Sequence, residues 1–303
     1  MLRQWYPVFY MLSSTFSLSL TGLFSKYLTN QLEANLLSFM RFFVPSLVLL
    51  IFIVGRKLRV PKRDLLKPIW VRALCIGACQ ICFIYSLNHL SLVESVVLFG
   101  TGPLFLPLLE KLIYGVPIST VTIAALIATF VGVMLLAGDV GGIELRPELF
   151  IGLSAGAFNA GSQLSLYRAS KSELNPYEIN FWSFTFAAIL IAPLVLFSAH
   201  SGETLWHPQQ VSSLMVVVVL LLLAVLIINT QVFRAKAYRL ADSGSQLAPL
   251  IFTNLLFTAI WQLLFFDVTF HRFQVIGLGL IVISSVMNVL LPKWLERRES
   301  RLA

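Results

Sequence analysis

The chain has 303 residues, of which 58% are hydrophobic and 12% are charged, and its formal net charge is +8 at pH 7. Soluble domains carry about 25% charged residues, so this composition argues against a soluble enzyme and predicts a surface that mostly faces lipid. The surplus of basic residues is therefore expected in loops beside anionic headgroups, and no nucleic-acid partner is predicted.

Ten apolar stretches follow one another along the chain, each close to the roughly 20 residues that a helix needs to cross a bilayer. We predict an all-α integral membrane protein with ten transmembrane helices at residues 5–27, 36–54, 69–88, 94–113, 117–137, 148–168, 177–198, 212–234, 244–266 and 272–292. Short connections with Gly and Pro predict antiparallel neighbours. The basic loop 55–68 is expected to lie along the inner headgroup surface.

Basic residues are distributed unevenly between the two sides of these spans. Eighteen of the 22 Lys and Arg residues fall on one side, and Arg72 and Arg234 are counted among them. Arg41 lies within a span, and three residues lie on the other side: Lys26, Arg146 and Arg272. Because basic loops are retained in the cytoplasm, both termini are predicted to be cytoplasmic. The chain has no Asn-x-Ser/Thr sequon, and a bacterial inner membrane is the expected location.

The chain divides into two halves of five spans. We predict a first repeat at 1–138, a connector at 139–147, a second repeat at 148–292 and a basic tail at 293–303. In each half a polar stretch joins the third span to the fourth, and a proline follows it, Pro103 or Pro249. Since five is odd, the second half enters the membrane from the opposite side. Such inverted repeats give transporters two related conformations.

Several of these features resemble the EamA-type branch of the drug/metabolite transporter superfamily. They are the span-2 arginine in 39–43, the tight turn before Pro103, and the segment 235–249 with its Ala-Tyr-Arg sequence. The acid that ends the fourth span of each family repeat has a counterpart in Asp267, but 115–117 reads Gly-Val-Pro in the first half. The resemblance implies cargo such as amino acids, sugars, nucleotide derivatives or drugs.

Arg41 is the clearest charged residue inside a span. It lies roughly 9 Å inside the outer end of span 2. A charge at the bilayer centre costs at least about 2.5–3.5 kcal/mol, so the side chain is expected to face protein or water. It either clamps a carboxylate or phosphate of the cargo, or it has a structural role, snorkelling outward or pairing with Glu33 or a carbonyl.

Polar and aromatic residues within the other spans complete the predicted binding set. These candidates are Gln80, Tyr85, Asn159, Gln163, Asn180, Trp182, Asn229, Asn254 and Trp261. Interhelical hydrogen bonding is the alternative for the amides, and packing is the alternative for the tryptophans. Asn229 and Gln231 point about 200° apart on one helix, and Asn229 is chosen as the residue that faces the cavity.

Helix breaks and a coupling residue are also predicted. Pro103 and Pro249 are expected to break or bend spans 4 and 9, and unpaired carbonyls there are tolerated only against protein or water. Glu110 is the candidate for proton coupling, although an interfacial role beside Lys111 is the alternative. Facilitated diffusion and exchange remain open.

No enzyme, cofactor or metal site is predicted. The four His residues show neither metal-binding nor catalytic spacing. The three Cys residues share one helical face and are interpreted as small packing residues: Cys75, Cys79 and Cys82.

These features predict an alternating-access transporter with a central site formed by spans 1–4 and 6–9. Its cargo is predicted to be a small polar or amphipathic, amino-acid-like metabolite that is exported. The alternatives are an importer or exchanger of a nucleoside- or nucleotide-like metabolite, and a channel or lipid-linked flippase. The expected partners are the small-molecule substrate and the lipid bilayer. Spans 5 and 10 are interpreted as lipid-facing braces or possible homodimer surfaces.

Overall fold

A computed structural model describes residues 5–54, 58–90, 92–115, 117–118, 120–137, 147–202, 205–206, 213–242, 244, 247–265, 272–273, 275–277, 279–280, 283–284 and 287. Within these ranges the chain forms eleven α-helices. They are α1 (Tyr6–Thr29), α2 (Ala34–Val54), α3 (Arg63–His89), α4 (Leu92–Phe99), α5 (Gly102–Tyr114), α6 (Thr120–Ala137), α7 (Pro147–Ser170), α8 (Pro176–His200), α9 (Ser213–Leu240), α10 (Ala248–Ile251) and α11 (Thr253–Phe265).

These helices correspond to the first nine predicted spans, and most of the tenth, 272–292, lies outside the described residues. Five of the described helices are long and apolar enough to cross a membrane: α1, α2, α3, α8 and α9. The fourth predicted span consists of α4 and α5, and the ninth consists of α10 and α11. The protein is therefore an all-α, multi-pass membrane protein.

The fourth and ninth spans are each interrupted near a proline. Pro103 lies in the first turn of α5, directly after the break at residues 100–101. Pro249 is the second residue of the four-residue α10, and Phe252 separates α10 from α11. Proline is tolerated at a helix start because the first backbone N–H groups have no partner within the helix. Each half thus has a break in its fourth span close to a proline, before Pro103 in the first half and after Pro249 in the second.

Two helices are longer than their predicted spans. α3 begins at Arg63 instead of residue 69, and α9 continues to Leu240 instead of ending at residue 234. Residues 63–68 therefore belong to a helix and not to the predicted basic loop. Hydropathy measures the length of chain that favours lipid, whereas a helix continues into the headgroup region with polar residues on its surface.

The helices of the two halves pack as crossed pairs. The most extensive contacts join α1 to α9, α3 to α7 and α2 to α8. In terms of the repeats, the first helix of each half packs on the third helix of the other half, and the two second helices pack on each other. This pattern is unchanged when the halves are exchanged, as inverted repeats require.

The bundle has two ends, which polar contacts between the halves define. At the basic end, Lys62 forms an ion pair with Glu173 at 3.2 Å, and Glu178 accepts a hydrogen bond from the backbone of Arg59. At the opposite end, Asn35 donates to Ser198 at 2.8 Å. The charge distribution predicts that the basic end is cytoplasmic.

Small residues allow the halves to approach closely. Ser14 on α1 donates to the carbonyl of Thr230 on α9 at 2.8 Å, and Thr15 bonds Thr253 on α11 at 2.8 Å. On α7, a Cβ added at Gly156 would lie 2.2 Å from Oγ1 of Thr101. Interhelical contact without a hydrophobic driving force depends on such small and hydroxylated residues.

Candidate functional site

A central cavity of about 60 Å³ lies between the two halves. It is lined by residues of α1, α2, α3, α4, α7, α8, α9 and α11, which are the spans that the sequence placed around a central site. Its polar lining residues are Ser19, Thr21, Arg41, Gln80, Asn159, Ser162, Thr230, Gln231, Asn254 and Thr258. Ligand pockets usually measure about 300–1,000 Å³, so this conformation holds the site nearly closed.

Arg41 reaches the cavity from α2 and is only 7% exposed. Its Nη1 donates to the hydroxyl of Ser25 on α1, and the guanidinium carbon lies 6.0 Å from the ring centre of Phe83 on α3. Its Nε–H is buried and has no hydrogen-bond partner. Glu33, the carboxylate considered as a structural partner, caps the start of α2 by accepting from the backbone of Leu36.

Arg72 is completely buried and joins four helices at the basic end of the cavity. Its Nε donates to Ser183 at 3.0 Å, and its Nη2 donates to Asn180 at 2.8 Å and to Gln231 at 3.2 Å. Its Nη1 lies 3.5 Å from the carbonyl of Ser162. The charge count placed Arg72 with the cytoplasmic basic residues, and the structure shows that its side chain lies inside the protein instead of facing the headgroups.

Arg234 on α9 was likewise counted on the cytoplasmic side, and the structure shows that its side chain is also buried. It is 1% exposed, and its Nε and Nη2 groups have no hydrogen-bond partner. Arg234 lies one helical turn beyond Gln231, which accepts a hydrogen bond from Arg72. One turn further along α9, the buried hydroxyl of Tyr238 also lacks a partner.

Three buried guanidinium groups therefore surround or adjoin the cavity. Among the residues that the structure describes, no carboxylate lines the cavity or pairs with any of the three. A buried charge is stable in a membrane protein when it meets an opposite charge or water. The site is thus electropositive.

Four predicted binding residues come together at the cavity: Arg41, Gln80, Asn159 and Asn254. Buried atoms of Gln80 and Asn254 have no hydrogen-bond partner, so they are available to a ligand. Gln163 lies behind the lining and donates to Asn159 at 3.0 Å. Gln163 therefore orients the amide of Asn159.

The other candidates lie away from the cavity lining. Asn180 is fully buried, and its amide accepts from Arg72 and donates to the carbonyl of Pro176. Asn229 donates to Ser17 and borders a separate crevice of about 470 Å³. The face of α9 that meets the cavity carries Gln231 instead. The choice of Asn229 over Gln231 as the cavity residue was wrong.

The aromatic candidates pack against protein. Tyr85 is 37% exposed near the opposite end and stacks on His89 at 4.2 Å. Trp182 donates to the carbonyl of Arg59 at 3.0 Å and packs on phenylalanine rings. Trp261 donates to Ser19 at 2.8 Å. None of the three lines the cavity, so the tryptophans do not form the stacking walls that led to the nucleotide-like alternative.

Glu110 is buried at the basic end, with 2% of its surface exposed. Its carboxylate accepts a hydrogen bond of 2.8 Å from the backbone N–H of Gly244, in the turn after α9. Lys111, in contrast, is exposed. Glu110 therefore joins α5 of the first half to the segment after α9 of the second half in this conformation, and its role in coupling stays a prediction.

Two lysines make equivalent contacts at the two ends of the bundle. Near the end of α1, Lys26 donates to the carbonyls of Leu87 and Leu90, where α3 ends. Directly after α7, Lys171 donates to the carbonyls of Arg239 and Ala241, where α9 ends. Each lysine thus joins the first helix of its repeat to the last carbonyls of the third helix, where a positive charge is favourable.

Two matched sets of helices surround a buried polar cavity in this protein. This arrangement is the one expected of an α-helical membrane transporter. The sequence model of the EamA-like transporter family matches residues 5–138 and 147–290. The chain belongs to this family and is a transporter of the drug/metabolite transporter superfamily.

Curated relatives agree with this assignment, and a solved structure shares the fold. The protein is similar to the pseudopaline exporter CntI of Pseudomonas aeruginosa, in strains PAO1 and UCBPP-PA14, with 22% identity over 240 residues. This segment covers 78% of this chain and 80% of that exporter. A crystal structure with 19% identity has the same fold, with a TM-score of 0.70 over 97% of this chain and 98% of the other.

Proposed function

We propose that this transporter exports a small, acidic, amino-acid-like metabolite across a bacterial inner membrane by alternating access. In this proposal ten helices span the membrane and both termini lie in the cytoplasm. The family supports transport, and the naming of a relative as an exporter supports the direction. The charge of the cavity supports the acidic cargo.

The buried, unpaired Nε–H of Arg41 at the cavity is the observation that carries this proposal. A guanidinium that already bonds Ser25 through Nη1 still has donors for a planar acidic group. Carboxylates and phosphates match this donor geometry, whereas an uncharged sugar would leave the charge uncompensated. An amino-acid-like cargo would also find amide groups at Gln80 and Asn254.

Arg41→Gln is expected to weaken the binding of an acidic cargo about 10- to 100-fold, because a hydrogen bond to a charged group contributes roughly 1.5–3 kcal/mol. The amidated analogue of the same cargo should lose much less. A thermal-shift screen of amino-acid-like metabolites identifies a ligand, and titration calorimetry on purified protein then compares its acid and amide forms.

Arg63→Gln is the control for this experiment, since Arg63 is exposed at the start of α3. It should bind both forms like the wild type. Equal losses for acid and amide in a normally folded Arg41→Gln protein would assign Arg41 a packing role and refute the acidic cargo.

Alternating access predicts opposite effects for the two equivalent lysines. Lys26→Met removes a contact at the end of the bundle that contains Asn35 and Ser198, and it should favour opening at that end. Lys171→Met removes the equivalent contact at the basic end and should favour opening there. Each lysine donates to two carbonyls, and a shift of the equilibrium by a few-fold is expected for each variant. Reaction of single introduced cysteines with a membrane-impermeant reagent, applied to either side of proteoliposomes, measures the shift.

Lys62→Met is the control, because Lys62 is an exposed partner in an ion pair at the basic end. It should leave the labelling pattern unchanged. If both Lys26→Met and Lys171→Met increase labelling at the same end, the lysines do not close opposite sides of the cavity.

A further inference from the structure

Two helical stripes lead from the cavity towards the basic end. On α3 the lining residues Phe83, Cys79 and Ile76 are followed on the same face by Arg72. On α9 the lining residues Ile227 and Gln231 are followed by Arg234. The two arginines therefore lie on the same helix faces as the lining residues, buried beyond the lining towards the basic end.

The unpaired groups in this region are mainly hydrogen-bond donors. Arg234 has two buried nitrogen groups without a partner, and the hydroxyl of Tyr238 also lacks one. Arg234 is 1% exposed and Tyr238 is fully buried, so bulk water does not compensate for the missing bonds. Leaving such groups unpaired in a buried site is unfavourable, and a ligand with acceptor oxygens would supply the missing bonds.

Arg72 and Arg234 have different roles in this arrangement. Arg72 is held by Ser183, Asn180 and Gln231, so its donors are occupied. Arg234 carries the open donors. Gln231, which accepts from Arg72, lies one turn before Arg234 on α9, so the two cations are neighbours. An anion on Arg234 would satisfy its open donors and supply the missing opposite charge.

Arg41 and Arg234 lie at different levels of the bundle. The guanidinium of Arg41 lies over Phe83 on α3. Arg72 lies eleven residues before Phe83, roughly 16 Å along the helix axis, and it contacts Gln231, one turn before Arg234 on α9. Cys79 lies between Arg72 and Phe83 on α3 and lines the cavity. The two cationic groups are thus separated along the bundle and do not form a single clamp.

We propose that Arg234 and Tyr238 form a second anion subsite and that the cargo carries two separated acidic groups, one for Arg41 and one for Arg234. This inference rests on the proposed function and specifies its substrate class. An elongated molecule with an acidic group at each end fits the separated cations. Either a carboxylate or a phosphoryl group has the oxygen acceptors that the second subsite requires.

The probes are straight-chain dicarboxylates of increasing length, together with the monoamide of each. Titration of purified full-length protein should show an optimal length at which the dicarboxylate binds about 10- to 100-fold more tightly than its monoamide. Arg234→Gln should reduce the affinity for the dicarboxylate to that for the monoamide, whose single carboxylate still has Arg41. Replacing one carboxylate by a phosphonate shows which acidic group the second subsite prefers.

Matched variants separate this effect from a loss of folding. Arg239→Gln changes an exposed arginine on the same helix and should bind both probes normally. Tyr238→Phe removes only the unpaired hydroxyl and should weaken the dicarboxylate several-fold without affecting the monoamide. Arg234→Lys keeps the charge and should retain part of the preference for the dicarboxylate.

Cys79 provides a second measurement. In a protein with Cys75→Ser and Cys82→Ser, the optimal dicarboxylate should protect Cys79 from a small alkylating reagent, because the ligand spans the position between the two arginines. Protection should be lost in Arg234→Gln at concentrations that protect the parent.

The two proposals fail in distinguishable ways. If dicarboxylate and monoamide bind equally at every length, and Arg41→Gln weakens both, the second subsite is refuted while the acidic cargo stands. If neither probe depends on Arg41, the proposed function fails as well.

Discussion

Arg72→Ala is expected to destabilise the folded protein by about 3 kcal/mol, because several buried groups lose their donor at once. Asn180 and Gln231 accept from Nη2 of Arg72, and Ser183 accepts from Nε. The substitution also leaves a cavity at a completely buried position. Unfolding of the detergent-solubilised protein by heat or denaturant measures the change.

Two substitutions separate hydrogen bonding from volume at this position. Arg72→Met fills more of the space than alanine and should recover only the part of the stability that depends on packing. Arg63→Ala, at an exposed site on the same helix, should change stability by no more than about 0.5 kcal/mol. If Arg72→Ala were as stable as Arg63→Ala, the four-helix hydrogen-bond network would have no role in folding.

Gly156→Ala is expected to cost about 1–3 kcal/mol, because the added methyl group has no space. Its Cβ would lie 2.2 Å from Oγ1 of Thr101, 2.8 Å from the carbonyl oxygen of Leu98 and 3.2 Å from the nitrogen of Gly102. Two of these atoms belong to the backbone at the break between α4 and α5, so rotation of a side chain cannot remove the clash. The melting temperature should fall, and the amount of folded protein recovered from membranes should fall with it.

A glycine on α3 serves as the control for this substitution. A Cβ at Gly77 would meet Ile191 at 3.8 Å, an ordinary van der Waals distance, so Gly77→Ala should be neutral or slightly stabilising. Thr101→Ala combined with Gly156→Ala should recover only part of the lost stability, since the carbonyl of Leu98 remains. Full recovery would show that Thr101 alone makes the contact.

The structure brings some of the predicted binding residues to the cavity and packs others against protein. A polar residue in an apolar helix must face protein or water, which is a valid expectation for Arg41 and for Asn180. The sequence does not say whether the partner is a cavity or another side chain. Arg41 lines the cavity, whereas Asn180 holds Arg72 in place. This difference depends on neighbouring helices that lie far away in the sequence.

The sequence by itself determined the class of protein, the number of repeats and the positions of most helices. These properties depend on local physics: an apolar stretch of sufficient length favours a membrane helix, and proline near the start of a span favours a break. Charge segregation likewise predicts orientation without reference to packing.

Only the tertiary structure decided which charges are buried. Arg72 and Arg234 lie near the ends of apolar segments, where a basic residue ordinarily reaches the headgroups. The extension of α3 and α9 beyond their apolar cores, and the packing of α7 and α8 around them, enclose both side chains. Burial depends on all the helices that surround a residue. For this reason the sequence did not predict that buried arginines lie at the basic end of the cavity.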